Sequence, residues 1–191
     1  MTINRSYVVS FNQIGCAANA LCSTAGNGDG NIGNLPSATP LGAEGERFFV
    51  HLNAAGLITG IVPGAAGSLV VGANFPATKI ANNVLLVGGT PTGLAANFTG
   101  ALANTVAHSP GTYLVINQAI AAPGAAVGLS PDQALRIDNK LDDGVPDTGQ
   151  VLGIGTAGIA AGNCGSVSGA AAGAYATINT QATCGLYIHI Q

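Results

Sequence analysis

Apolar residues in the first third of the chain recur at helical spacing, and those further on fall into short continuous or alternating runs. Residues 2–13 lead into a stripe of Ile3, Tyr7, Phe11 and Ile14 at i, i+4, i+8 and i+11, which predicts a helix. The segment 23–40, STAGNGDGNIGNLPSATP, is rich in Gly, Asn, Ser and Pro and predicts a long loop. A second helix is predicted within GAEGERFFVHLNAAGLITG. There Phe48, Leu52 and Ala55 share a face, Glu44 and Glu46 sit at the positive end of the dipole, and Gly56 supplies a stop.

Beyond residue 67 the period shortens. SLVV, NVLLV, TYLVINQ, GQVLGI, AYATI and CGLYIHI read as strands separated by Gly, Pro, Asn and Ser. In the last, Leu186, Ile188 and Ile190 alternate with Tyr187, His189 and Gln191, the pattern of a strand buried on one side only. One helix interrupts these runs. SPDQALRIDNKL begins with Ser130 as N-cap, Pro131 in the first turn and Gln133 three residues after the cap, with Ala134, Ile137 and Leu141 as its apolar stripe. Helices followed mainly by strands predict an α+β fold with a mainly antiparallel sheet. The Ala-Gly stretches keep no fixed period, so a solenoid is excluded.

Composition changes this picture in one respect. Charged residues are only 7% of the 191-residue chain, against about a quarter in ordinary soluble domains, and the 29 glycines are about twice the usual share. A net charge of −3 without a basic cluster argues against nucleic acid as a partner. No apolar stretch approaches the length of a membrane span, and the first residues lack the plan of a signal peptide. The four cysteines fall as two local pairs, Cys16 with Cys22 and Cys164 with Cys184, a layout suited to disulfides in an oxidising compartment. Four unrelated thiols are the competing reading, and the common zinc spacings do not occur.

Charge is concentrated at one place. RIDNKLDDGVPDTGQV, residues 136–151, holds Asp138, Asp142, Asp143 and Asp147, half of the eight carboxylates in the chain. Asp138 and Asp142 are spaced i, i+4 and repel unless compensated, with Arg136 and Lys140 available on the same helix. The leading reading is architectural: a helix end followed by a turn at Asp142, Asp143 and Gly144, in which Asp side chains accept backbone N–H groups. A calcium site built from Asp138, Asp142, Asp143 and Asp147 with loop carbonyls is the alternative, and no other cofactor is indicated. Catalysis by paired carboxylates ranks last, since nothing else in the chain suggests a substrate cleft.

The remaining candidates point away from an enzyme. GNGDGNIG lacks the glutamate of a calcium loop, since the residue eleven places after Asn27 is Ala38, and it reads as a turn. His51, His108 and His189 are widely spaced, and His51 reads as a packing residue of its helix. The chain contains neither a serine elbow nor a phosphate-cradling loop. Asn4 and Asn97 lie in glycosylation sequons of the kind that chance supplies in an Asn-rich chain.

Taken in order, GNGDGNIG, GERFFVHLNAAGLITG, ALRIDNKLDDGVPDTGQV and a cysteine loop ending at CGLYIHI resemble the extracellular head of bacterial type IV pilin-like proteins (prepilins and pseudopilins). The resemblance implies one domain over 1–191. Residues 1–26 would be the end of a long pilin helix with a Cys16/Cys22 loop, and 27–191 the head, with helix packed on an antiparallel sheet and a C-terminal disulfide loop. It implies a structural subunit of an extracellular cell-surface filament, or of a periplasmic secretion pseudopilus, assembling with copies of itself and having no enzymatic activity. The alternative is a minor or tip subunit acting as an adhesion or secretion module. Family members carry an apolar N-terminal anchor, which this sequence lacks. Two expectations follow: a chain trimmed for solubility with an added Met1, or a pilin whose helix is a separate short polypeptide. Contact with a membrane would come only through that helix. The GCAANALC stretch departs from the family pattern, where a proline-containing loop usually follows the helix.

Overall fold

The computed structural model describes residues 32–33, 43–62, 70–80, 83–90, 92, 101–102, 108–118, 128–166 and 173–190. The helix expected over 2–13, the Cys16/Cys22 pair, both sequons and nearly all of the loop over 23–40 lie outside them.

Helix α1, Ala43–Ala54, forms where the helical spacing predicts it, and its N-terminal Glu44 carboxylate accepts the Gly33 N–H at 3.1 Å. Its buried stripe is wider than the single face read from the sequence, because Phe48, Phe49 and Val50 are all buried and Phe48 and Phe49 meet edge to face at 5.0 Å. The helix ends in a two-bond C-cap. Leu57 N–H reaches back to the Leu52 carbonyl at 3.0 Å and Gly56 N–H to Asn53 at 3.0 Å, with Gly56 at φ +70, where a side chain would be strained.

Four strands make an antiparallel sheet in the order β1 (Val84–Thr90), β2 (Gly111–Asn117), β6 (Cys184–Ile190), β3 (Val151–Gly155). A separate two-stranded ribbon pairs β4 (Gly165–Ser166) with β5 (Ala174–Tyr175). Of the six predicted runs, SLVV is described only at Val70 and Val71 and contributes there the bridge between Val71 and Phe75, and AYATI contributes the two residues of β5.

Register assigns the faces. Val115 opposes both Leu86 and Tyr187, and Leu152 opposes Tyr187, so these side chains share one face. They join Phe48, Phe49, Val50 and Phe75 in one buried cluster. On the other face Ile116, Leu186 and Val151 join Leu129, Ala134 and the two cysteines of the C-terminal half. Strand β6 is therefore covered on both sides at its start, and Leu186 and Tyr187 are equally buried. This corrects the expectation of a strand buried on one side only. Only from Ile188 onward does the strand emerge, because helix α2 (Pro131–Leu141) covers one face of its beginning while the cluster containing α1 covers the other.

Both outer strands are shielded. On β1 the Leu85 and Gly89 N–H groups donate to Pro76 and Gly33 carbonyls at 3.0 and 2.9 Å. On β3 the Gly153 carbonyl accepts from Leu102 at 2.7 Å and the Gly153 N–H donates to Pro146 at 2.6 Å. Loop segments thus occupy positions where another chain could add a strand. Among the described residues no helix is long and apolar enough to cross a membrane.

The Cys164–Cys184 disulfide spans a sequence separation of 20 and ties the β4–β5 ribbon to the first residue of β6. Replacing both cysteines with alanine is expected to lower unfolding stability by about 3 kcal/mol, from the loop entropy regained by the unfolded chain. Urea denaturation of the variant against the parent measures it.

Candidate functional site

Helix α2, Pro131–Leu141, has both halves of a capping box: Gln133 N–H donates to Ser130 Oγ at 3.3 Å, and Ser130 N–H donates to Gln133 Oε1 at 3.0 Å. Its buried residues are Pro131, Ala134 and Asp138. The sequence stripe of Ala134, Ile137 and Leu141 needs correction, because Leu141 is exposed and Asp138 takes a fully buried place instead. Asp138 follows Ala134 by one helical turn, and an acceptor is required there by two donors brought in from elsewhere.

Those donors are the Tyr175 hydroxyl, at 2.8 Å from Oδ2, and the Gly144 N–H, at 3.1 Å from Oδ1. The basic residues of α2 do not compensate Asp138 as the sequence suggested. Arg136 turns outward to Asp132, with Nε to Oδ2 at 2.9 Å, an exposed pair worth little to stability. A neutral hydroxyl and one backbone N–H are what Asp138 has in its place.

The turn after α2 is held by its own carboxylates. Asp142 accepts from the Gln150 N–H and from the Val151 N–H, the latter at 3.0 Å, so it links the helix end to the start of β3. Asp143 accepts the Val145 N–H at 2.8 Å and the Thr148 hydroxyl at 2.6 Å. Gly144 and Gly149, at φ +76 and +72, supply the left-handed positions of the turn. The Asp142 carboxylate also fills the space that a side chain at Gly149 would need.

Asp138, Asp142 and Asp143 bring carboxylate oxygens within 4.8 Å of one another. Asp147, the fourth calcium candidate, is fully buried and outside this group; its negative charge is felt instead by His108. Burial lowers the His108 pKa, and Asp147 opposes that shift. The three grouped carboxylates accept six donors between them, which is the arrangement of a staple.

Burial dominates the electrostatics. Loss of hydration pushes Asp138 up to about 6, helped by the negative charges of Asp143 and Asp142 and opposed by the Tyr175 and Gly144 hydrogen bonds. Tyr175 is pushed far above the ordinary phenol range by burial first and by Asp138 second, so it remains a donor at any physiological pH. Sequence reading missed Tyr175 altogether, since nothing in AYATI marks its hydroxyl as the partner of an aspartate 37 residues earlier.

The other histidines are placed without forming a constellation. His51 is buried in α1, and His189 on β6 lies over the Tyr113 ring at 4.8 Å, with Nδ1 against the Gln150 side-chain oxygen. The Tyr113 hydroxyl donates to the Ser109 carbonyl at 2.8 Å, and burial pushes this phenol up to about 12. Comparison of the chain with protein-family models, with curated proteins and with solved structures found no match.

Because the folded-state value of Asp138 lies above its ordinary 3.8, the stability it contributes is complete below that pH and is lost as pH rises through about 6. Urea denaturation between pH 4 and pH 7 is expected to show that loss in the parent and to show it abolished in Asp138→Asn. Tyr175→Phe removes a bond that favours the ionised form, so the Asp138 titration should move above about 6, measured by carboxyl-carbon NMR. For the staple reading, millimolar calcium should leave the thermal midpoint unchanged. A rise of several degrees would assign the three carboxylates to the ion instead.

Proposed function

We propose that this chain is a structural subunit of a type IV pilus or a related surface filament, which assembles through repeated contacts with copies of itself. The observation that carries the reading is the ordered set of segments resembling pilin-like heads. They correspond to α1, to α2 with its carboxylate turn into β3, and to the disulfide-closed start of β6. The α+β architecture with its antiparallel sheet is compatible with such a head, packed in the assembled filament against an apolar N-terminal helix. That helix would belong to the same precursor or come as a separate short chain.

Two physical features suit a polymerised subunit. The first is the sparse charge, which limits repulsion between stacked copies. The second is the covalent closure at Cys164–Cys184, which suits the oxidising environment outside the cytoplasm. The three grouped carboxylates are engaged by six donors, and the proposed role is structural rather than enzymatic.

Cryo-electron microscopy of surface filaments from the producing cell tests the proposal. A helical array of this head around a core of apolar helices is the expected result. A single copy at a filament end would replace the major-subunit reading with that of a tip adhesion module. Absence of the protein from every filament would overturn both.

A further inference from the structure

The turn after α2 contains an Asp-Gly linkage, Asp143–Gly144. Among aspartyl linkages this is the one that rearranges most readily in water, because glycine has no Cβ to keep its nitrogen away from the preceding side-chain carboxyl. The Gly144 nitrogen attacks the Asp143 Cγ and a C–N bond forms. The carboxyl O–H and the Gly144 amide hydrogen leave together as water, which closes a five-membered succinimide. Water then opens that ring at either carbonyl. One opening restores aspartate, and the other leaves the main chain running through the former side chain as isoaspartate. Water is the only co-reactant.

Asp143 is exposed, so solvent reaches the linkage. Each reacting group is nonetheless engaged. The Gly144 N–H donates to Asp138 Oδ1 at 3.1 Å, Asp143 Oδ1 accepts the Val145 N–H at 2.8 Å, and Asp143 Oδ2 accepts the Thr148 hydroxyl at 2.6 Å. Asp138 is itself fixed, since it is fully buried and its Oδ2 accepts the Tyr175 hydroxyl at 2.8 Å. Gly144 has φ +76, where any residue with a side chain would be strained. The turn therefore requires the residue that makes the linkage labile, and the restraint on it comes from the neighbouring hydrogen bonds.

We propose that Asp143–Gly144 is a latent isomerisation site, latched in the folded chain by Asp138 and Thr148 and released when the turn opens. The inference is independent of the filament reading. Its consequence runs one way. Isoaspartate adds a methylene to the main chain and removes the side-chain carboxylate that holds Val145 and Thr148. Asp142, just before the linkage, accepts from the Gln150 and Val151 N–H groups beyond it, and a lengthened backbone between them shifts these partners apart. A chain that has opened and rearranged cannot rebuild the staple.

The test ages the purified chain in neutral buffer, folded and in urea, with the disulfide intact. Isoaspartate at residue 143 is quantified by fragmentation mass spectrometry of its proteolytic peptide, and thermal unfolding of each variant sets an ageing temperature at which it is folded. The folded parent is expected to rearrange at least about tenfold more slowly than the same chain in urea, the factor that one charge-assisted hydrogen bond supplies. Thr148→Val frees one Asp143 oxygen and Asp138→Ala frees the Gly144 N–H, and each should raise the folded rate by about tenfold. Asp138→Asn keeps an oxygen that accepts the Gly144 N–H and should age like the parent. Should Asp138→Ala fail to fold, Thr148→Val decides. Equal rates for the parent folded and in urea, or no acceleration in folded Thr148→Val, overturn the latch. An Asp138→Ala variant slower than the parent would make Asp138 a base that promotes the reaction, and overturns it too.

Discussion

Cys184 is the first residue of β6, and each of its polar or reactive groups is already engaged. Its sulfur is bonded to Cys164, its N–H donates to the Leu129 carbonyl at 2.9 Å, and its carbonyl accepts the Leu129 N–H at 2.8 Å. Two residues later Leu186 opposes Ile116 of β2 and Gly153 of β3, so the strand enters the sheet already fixed in position. The segment leading into α2, the β4–β5 ribbon and one of the two inner strands of the sheet all converge on this one residue. A chain with so many glycines loses much conformational entropy on folding, and a covalent tie with paired backbone groups offsets part of that loss.

The ribbon held by this tie delivers Tyr175, and Tyr175 explains why a carboxylate is tolerated on the buried side of α2. An isolated ionised group there would be strongly unfavourable, and the hydroxyl and the Gly144 N–H relieve only part of the cost. The raised pKa of Asp138 is the remainder made visible. In return the bond joins helix, turn and ribbon at a single point. Asp142 and Asp143 extend the same logic along the turn, where backbone N–H groups that would otherwise lack acceptors find carboxylates at hydrogen-bonding distance.

Concentrating charge at this staple leaves long segments of the chain uncharged, and among the described residues Val62, Ile159 and Ile178 stand largely in water. For a solitary soluble domain that distribution invites association.

What the sequence determined by itself was local. The capping box of α2, the dipole-matched start and glycine stop of α1, the longer strands and the Cys164–Cys184 pairing each rest on residues close together in the chain or on a period within one element. The staple of Asp142 and Asp143 belongs to the same class, because its acceptors lie within nine residues of their donors. Tertiary structure alone decided which face of α2 is buried, because Asp138 gains a place in the core only through a tyrosine from a distant ribbon. It also decided that β6 is covered on both sides, since alternation reports polarity along a strand and not what packs above and below it.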